Sequence, residues 1–284
     1  MAIFEQTEMH TIQLTPGPIH YRQIGDGEPI VFVHGLLVNG LLWRKVVPLL
    51  SDSFRCIAPD FPLGSHTAPM AADTDLTPPG LAAIVAEFLE TMQLDRVTLV
   101  ANDTGGAVSQ IVATRHPQRI GRLVLTSCDM FDNFLPAMFQ PMQWAAHVPG
   151  SIYVIAQAMR LRALQNSPLA FGWLAKHGIE PRIASEYLRG VLSSAGVRRD
   201  VHKILKGIST RYTMEAAEAL RRFDRPVLLA WAREDRFFPV EHAQRMLEIL
   251  PHGKLELVDD SYTFVSEDQP QRVAQLIREF IPTA

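Results

Sequence analysis

The sequence is most constrained by a buried-strand pattern that changes into a helical pattern across a turn made of small residues. Residues 97–101 form a continuous apolar and β-branched run, typical of a strand buried on both faces. Apolar residues then recur at helical spacing until Pro117, at Ala107, Val108, Ile111 and Val112. The chain must therefore turn sharply from strand to helix within residues 102–106.

That turn places Asp103 above the end of the strand. A turn this tight strains its central residue and accepts only small neighbours, which here are Ala101, Gly105 and Gly106. The side chain of Asp103 is therefore expected to project alone, as a reactive group would. An aspartate that caps the N-terminus of the following helix is the alternative explanation.

Four further segments show buried strands that lead into loops. The first is a strand at 30–36, which contains His34-Gly35 near its end. The others are a strand that leads into a loop with Asp60 (55–60), a strand after the helix that follows the turn at Asp103 (123–126) and a strand with an acidic loop (227–239). In this order and spacing, the segments resemble the α/β-hydrolase family over nearly the whole chain. The resemblance implies an α/β fold with a mostly parallel eight-stranded sheet, helices on both faces and a helical cap.

In this family the turn between strand and helix carries the nucleophile, usually Ser, and is called the nucleophile elbow. An elbow with Asp in place of Ser, as at Asp103, resembles the branch of haloalkane dehalogenases, fluoroacetate dehalogenases and epoxide hydrolases. The resemblance implies that Asp103 attacks carbon and forms an alkyl ester, which water then cleaves. It also implies oxyanion donors at the backbone N–H groups of Leu36 and Thr104. In the family, a histidine acts as the base that activates this water, and an acidic residue holds the histidine. That acidic residue would be Asp235, with Asp129 as a second candidate, although either could be an ordinary loop residue.

The chain departs from this branch at the position of the catalytic histidine. The loop at 260–270 keeps the expected frame, but Thr263 stands where the family has His. A neutral hydroxyl does not accept a proton near pH 7, so ester hydrolysis requires another base. The histidines expected to face the cleft are His66, His147, His177 and His202.

Candidate substrate contacts come from the family resemblance and from the aromatic residues of the cap. Haloalkane dehalogenases hold the halide with Trp after the nucleophile and often Asn after His-Gly, where this chain has Thr104 and Leu36. Epoxide hydrolases use cap tyrosines. The substrate-binding candidates are His34, Trp144, Trp173, Tyr153, Tyr187 and Tyr212.

Two functions follow from these residues. The first is an Asp-nucleophile hydrolase that acts on a small organic substrate of the epoxide or organohalide type. The second is a lyase, an isomerase or a ligand-binding protein on the same fold, with Asp103 as an acid or base rather than a nucleophile. The missing histidine leaves both open.

The βαβα rhythm predicts a core domain formed by residues 1–129 and 221–284, with a hairpin over 11–24. Between them, residues 130–220 are rich in Met, aromatic residues and helix formers, which predicts a helical cap. Residues 136–214 hold ten Lys and Arg against three acids, a net charge of +7 in a chain of −3. Salt bridges to the acidic core, or steering of an anionic substrate, would explain this charge.

Composition excludes several other classes. A net charge of −3 gives no electrostatic reason to expect nucleic acid as a partner. Cys56 and Cys128 form no CxxC or zinc spacing, so we expect buried reduced thiols, no metal and no cofactor. No leader or membrane-spanning stretch is evident, which predicts a cytoplasmic monomer or homodimer with a small-molecule substrate and no membrane partner.

Overall fold

A computed structural model describes residues 3–168 and 170–282. Its centre is an eight-stranded sheet in the order β1-β2-β4-β3-β5-β6-β7-β8. The strands are β1 (His10–Leu14), β2 (Gly17–Ile24), β3 (Glu28–Val33), β4 (Phe54–Pro59), β5 (Val97–Asp103), β6 (Ile120–Cys128), β7 (Val227–Ala232) and β8 (Gly253–Val258). Strands β3 to β8 are parallel, and β2 pairs antiparallel with β1 and β4. The predicted α/β-hydrolase sheet is confirmed.

Helices cover both faces of this sheet. They are α1 (Pro78–Thr91), α2 (Thr104–Arg115), α3 (Gln140–Ala145), α4 (Ser151–Ala158), α5 (Arg162–Gln165), α6 (Pro181–Ser193), α7 (Ala195–Gly207), α8 (Thr210–Leu220), α9 (Val240–Ile249), α10 (Val265–Asp268) and α11 (Pro270–Phe280). Short 3₁₀ helices lie at Ile3–Gln6, Gly40–Trp43, Val47–Leu49, Pro117–Arg119, Ala137–Phe139 and Phe171–Trp173. Within the described residues, none of these helices has the length and apolar character needed to cross a membrane.

The central strands are apolar because both of their faces are covered. All seven residues of β5 are buried, and all six of β7 are as well. Such strands read as continuous apolar runs rather than as alternating patterns. The predicted hairpin over 11–24 is β1 and β2, whose register pairs Ile12 with Ile19.

The connections put every candidate catalytic residue at one edge of the sheet. Parallel strands end at the same edge, and ligands of open α/β sheets bind outside those carboxyl ends. Strands β3, β5, β6, β7 and β8 lead respectively into the loops or elbow that carry Leu36, Asp103, Asp129, Asp235 and Thr263.

The segment predicted as a cap lies between β6 and β7. Its described residues contain helices α3 to α8 and no strand, apart from one isolated bridge between Met130 and Asn133. We keep the name cap segment for residues 130–220. Gly190 in α6 packs so closely on the loop after β4 that a Cβ there would lie 2.0 Å from the carbonyl oxygen of His66.

Candidate active site

Asp103 has the backbone conformation of a strained elbow. Its φ is +52° and its ψ is −134°, which a non-glycine residue adopts only when the surrounding structure imposes it. The side chain makes no capping hydrogen bond to α2, and the conformation is not the extended one of a capping residue. The alternative explanation of Asp103 as a helix cap therefore does not account for this geometry.

Glycines allow the elbow and the loop after β3 to approach each other. A Cβ on Gly35 would lie 2.2 Å from Asp103 Oδ2, and a Cβ on Gly105 would lie 2.2 Å from the carbonyl oxygen of His34. Both contacts are too short for any side chain. The backbone N–H of Leu36 consequently donates to Asp103 Oδ2 at 3.0 Å.

Leu37 stands where the family that this sequence resembles usually has proline, and its backbone conformation explains the difference. Its φ is +57°, a value that the pyrrolidine ring excludes. Its N–H also donates to the carbonyl oxygen of Leu63 at 2.8 Å, a bond that proline lacks the hydrogen to make. The departure from the family pattern therefore belongs to a well-bonded loop.

Thr263 meets Asp235 at the position of the expected base. Thr263 Oγ1 donates to Asp235 Oδ1 at 3.0 Å, and the N–H groups of Phe237 and Phe238 donate to the same oxygen at 2.8 Å each. Of the two candidate acids, Asp235 is the one in contact with Thr263. No imidazole of the described chain accompanies this pair to take a proton from water.

Asp129 has a different partner. Its Oδ2 accepts a hydrogen bond from Thr104 Oγ1 at 3.0 Å, and its carbonyl oxygen accepts from Gln110 Nε2 at 2.8 Å. Both contacts lie on α2, directly behind the elbow. Asp129 therefore holds the residue that follows Asp103, and among the described residues no hydrogen bond joins Asp129 to Thr263.

Asn102 is a site residue that the sequence reasoning missed. It is fully buried, and its Nδ2 donates to the carbonyl oxygen of Thr263 at 2.7 Å and to Thr126 Oγ1 at 2.9 Å. The elbow is thereby tied directly to the loop that holds Thr263. The available signal was an amide side chain at the end of an otherwise apolar buried strand.

Burial changes the ionisation of the site carboxyls. Loss of water raises the pKa of Asp103 to about 7, although the N–H groups of Leu36 and Thr104 act in the opposite direction. Loss of water also raises the pKa of Asp235 to about 6 and that of Asp129 well above its ordinary value. Near pH 7 the site therefore holds fewer than three negative charges.

An apolar cavity of about 890 Å³, including its solvent-open mouth, lies above Asp103. Among the described residues, Asp103 and Tyr187 alone contribute charged or polar side chains to it. The other lining residues are Leu36, Leu37, Leu135, Phe139, Met142, Ile152, Ile155, Ala156, Met159, Ala170, Phe171, Leu174, Leu188, Val191 and Val201. In the described part of the chain, no group of three or more His, Cys, Asp or Glu side chains could hold a metal ion.

The family model described as alpha/beta hydrolase fold matches residues 28–270. The chain belongs to the α/β-hydrolase family. Haloalkane dehalogenase 2 of Mycobacterium tuberculosis is 29% identical to this α/β hydrolase over 273 residues, 93% of this chain and 91% of the dehalogenase. The cis-3-alkyl-4-alkyloxetan-2-one decarboxylase of Shewanella oneidensis is 26% identical over 287 residues, 96% of this chain and 87% of the decarboxylase.

Solved structures show the same fold. Epoxide hydrolase CorEH superposes with a TM-score of 0.80 at 20% identity, covering 96% of this chain and 98% of that one. A thermophilic esterase from Thermogutta terrifontis superposes with a TM-score of 0.75 at 21% identity, covering 96% and 97%. At these identities the likeness establishes the fold of the α/β hydrolase and not its substrate.

Of the aromatic candidates for substrate contact, only Tyr187 lines the cavity of the α/β hydrolase. Tyr187 is buried, and its hydroxyl has no hydrogen-bond partner among the described residues. The other four aromatic candidates lie outside the cavity lining. Trp144 is 67% exposed, and Trp173 packs near Phe237. The rings of Tyr153 and Tyr212 lie under Arg198 and Arg211, respectively. The prediction that these four contact the substrate is not supported by the cavity.

His34 is buried behind the oxyanion loop rather than in the cavity. Its Nδ1 lies 2.9 Å from the carbonyl oxygen of Gly35, and loss of water lowers its pKa to about 4. His34 therefore holds the loop in place. Its prediction as a substrate-contacting residue is corrected to this supporting position.

No histidine in the described residues lines the cavity. His66 Nε2 lies 3.3 Å from Asp200 Oδ2, and His177 Nε2 lies 3.0 Å from Asp260 Oδ2. His202 Nδ1 lies 2.6 Å from the carbonyl oxygen of Ala146, in a surface groove that His147 also lines. None of the four histidines expected to face the cleft stands beside Asp103.

The positive charge of the cap segment lies outside the cavity of the α/β hydrolase, because no Lys or Arg in residues 3–168 and 170–282 lines it. This removes the support for steering of an anionic substrate into the site. Some cap cations do form ion pairs with the core: Lys176 with Glu234 and Asp260, and Arg182 with Glu5. Salt bridges thus explain part of the cap charge.

Proposed function

We propose that this α/β hydrolase uses Asp103 as a nucleophile that takes an alkyl group from an apolar electrophile. The observation that supports the proposal most directly is the position of Asp103. Its carboxyl group projects from a strained backbone turn into a cavity that is lined almost entirely by apolar side chains. The amide of Leu36 binds Oδ2, so attack on carbon falls to Oδ1. The product of this step is an alkyl ester of Asp103.

The cavity supports an epoxide better than an organohalide. A halide leaving group needs side-chain N–H donors, and the described part of the cavity lining holds no Trp, Asn or Gln. An epoxide needs a donor for the ring oxygen, and the unpartnered Tyr187 hydroxyl is available. In the ring-opening step, Oδ1 bonds to one ring carbon and the C–O bond breaks. The proton from Tyr187 then converts the released oxygen to a hydroxyl. Because burial raises the pKa of Tyr187 well above its ordinary value, the phenolate takes a proton back from water at the cavity mouth, and hydroxide leaves into solvent.

Release of the ester is the slow part of this cycle. Hydrolysis requires a base that takes a proton from water, and Thr263 offers only a hydroxyl to Asp235. The amides of Leu36 and Thr104 still supply the oxyanion donors. We therefore expect alkylation to be faster than hydrolysis, so that the ester accumulates.

A lyase reaction on a β-lactone is the second candidate, favoured by the absence of histidine from the described cavity lining. Asp103 would attack C4 of an oxetan-2-one and break the C4–O1 bond, which releases a carboxylate. That carboxylate would leave as CO₂ while the C3–C4 double bond forms and the C4–O bond to Asp103 breaks. The step regenerates Asp103 without water or a base. The Shewanella relative, by its name, decarboxylates such rings.

The two candidates differ in their products. The enzyme would be incubated separately with a long-chain terminal epoxide and with a cis-3,4-dialkyl oxetan-2-one, and products would be identified by gas chromatography and mass spectrometry. An Asp103-linked hydroxyalkyl adduct followed by slow diol formation supports the first candidate. Alkene and CO₂ from the lactone support the second.

Asp103→Asn is the test variant and Asp132→Asn, at a carboxylate that is 76% exposed, is the matched control. Adduct and products should vanish only in the first. Equal reaction in both variants would overturn the assignment of Asp103 for either substrate.

A further inference from the structure

The cap segment exposes an unusual concentration of large apolar side chains. Nine such side chains are exposed among the described residues, and seven of them lie between Trp144 and Trp173. Trp144 is 67% exposed, Val154 is 66% exposed and Leu161 is 61% exposed. A single exposed apolar residue is ordinary, but a group of this kind marks an interaction surface.

The same stretch contains no acidic residue. Residues 133–179 have neither Asp nor Glu, although the chain has 30 of them. Arg160 and Arg162 flank Leu161 within this stretch. A protein surface that must stay in water usually mixes both signs of charge. The exposed apolar residues here are accompanied by positive charge only.

Four cations around these residues have no carboxylate partner in the described part of the chain: Arg160, Arg162, Arg198 and Lys206. Arg198 stacks over the exposed ring of Tyr153, 4.9 Å from its centroid, and lines a surface groove with Lys206. We define the cap patch as these four cations together with Trp144, Val148, Tyr153, Val154, Leu161 and Leu164.

Helix α4 connects the cap patch to the cavity. Ile152, Ile155 and Met159, just beyond its end, line the cavity. Val154, on the side of α4 away from these cavity-lining residues, is exposed, and Leu161, which directly precedes α5, is exposed as well. A short helix that is apolar on both sides needs a second apolar environment besides the cavity.

We infer that the cap patch docks on an anionic lipid surface, which places the mouth of the cavity beside the acyl chains. Exposed apolar residues with interspersed cations, together with an aromatic ring such as Trp144, are typical of peripheral contact with anionic lipid. A two-fold contact between two copies would set the four unpaired cations against themselves. The contact is independent of the chemistry at Asp103 and departs from the expected absence of a membrane partner.

Vesicle sedimentation tests the inference. The full chain would be mixed with phosphatidylcholine vesicles, with or without 30% phosphatidylglycerol (about one anionic lipid in three), at two salt concentrations. We expect binding to the anionic vesicles, weakened by salt because exposed charges are screened. Equal binding to both vesicles, or binding to neither, overturns the proposal.

Two pairs of variants separate charge from apolar contact. Arg160→Gln with Arg162→Gln should weaken vesicle binding roughly 25-fold, at about fivefold per charge. Val154→Asp with Leu161→Asp should abolish it. The matched controls are Arg221→Gln, a cation paired with Glu218, and Met214→Asp, an exposed apolar residue of α8. Unchanged binding in both double variants contradicts the assignment to this surface.

Trp144 provides a direct readout of contact. Brominated acyl chains should quench its fluorescence in the anionic vesicles. In a Trp173→Phe background, Trp144→Phe should remove that quenching, since Trp173 is itself 36% exposed while Trp43 and Trp231 are fully buried. Light scattering of the protein alone identifies the competing occupant. A dimer that Val154→Asp with Leu161→Asp dissociates, in a protein that ignores vesicles, would assign the patch to a second copy and overturn the lipid proposal.

Discussion

Thr263 Oγ1 donates a hydrogen bond to Asp235 Oδ1 at 3.0 Å. In the proposed hydrolytic cycle, a hydroxyl thus occupies the place where a base is needed. Asp235 keeps the contacts expected of an acid that orients an imidazole, because the amides of Phe237 and Phe238 hold the same oxygen. In the proposed mechanism, the site thus has groups for attack and for oxyanion stabilisation, while no group among the described residues is placed to activate water.

Replacing Thr263 by His should restore water activation. An imidazole at this position would be held by Asp235, and general-base catalysis typically contributes about 10²- to 10⁴-fold. We expect ester hydrolysis to accelerate by a measurable part of that factor, with alkylation unchanged. Single-turnover mass spectrometry of the ester measures both steps.

The control for this variant is Thr263→Val, which removes the hydroxyl without adding a base. It should not accelerate hydrolysis. If Thr263→His and Thr263→Val release the ester at the same rate, an imidazole at position 263 does not act as the base, and the proposed role of this position is wrong.

Asp103→Asn should stabilise the protein at alkaline pH. The pKa of Asp103 is raised to about 7, so the folded state binds more protons than the unfolded state between its ordinary pKa of 3.8 and pH 7. Stability is therefore present at low pH and is lost as the pH rises through about 7. At about 1.4 kcal/mol per pKa unit, the cost at pH 8 is at most about 4 kcal/mol.

Urea unfolding at pH 4 and pH 8 measures this effect. The Asn variant should gain stability over the wild type only at pH 8. A difference of the same size at both pH values would show that the carboxyl of Asp103 is not destabilised by burial.

Asn102→Leu should loosen the site and cost about 1–3 kcal/mol of stability, because it leaves buried acceptors on Thr126 and Thr263 without a donor. Alkylation of Asp103 should also slow, since the elbow loses its link to the loop. Gln143→Ala is the matched control: its amide binds the carbonyl oxygens of Leu205 and Ile208, far along the chain from the elbow. An equal slowing in both variants would indicate a general loss of stability.

Limited trypsin digestion should cut first within residues 130–220. Arg160 and Arg162 are exposed and lie at short helices, and insertions over a cleft belong to the less stable end of a structure. Mass mapping of the first fragments identifies the bond. First cleavage after Arg55 or Arg122, at strands of the sheet, would contradict the predicted division into core and cap.

The sheet and the elbow were predictable because both depend on local patterns. Continuous apolar runs predict buried parallel strands, and small residues around Asp103 predict the tight turn. The loops that follow the strands also identify Asp235 and Thr263, because their order along the chain fixes their edge of the sheet. Predicting these parts of the site therefore does not depend on how the helices pack.

The contents of the cavity were not predictable from local patterns. Which face of a cap helix points inward depends on the packing of the whole segment, so Tyr187 could not be separated from Tyr153 or Tyr212. The link from Asn102 to Thr263 spans 161 residues in the chain and arises only when β5 and β8 end at the same edge. The sequence identifies Tyr187 only as one of several aromatic candidates, and it does not suggest the link from Asn102 to Thr263.

The central claim is that Asp103 forms an ester that the site releases slowly. The most direct test is a single-turnover reaction of excess enzyme with a terminal alkyl epoxide, run at several pH values from 5 to 9. The reaction is quenched at successive times, and the intact mass of the protein is measured. The account predicts an Asp103 adduct that forms faster as the pH rises through about 7, because the carboxylate is the attacking form, and that decays more slowly than it forms. Diol produced without any detectable adduct at every pH would contradict the account.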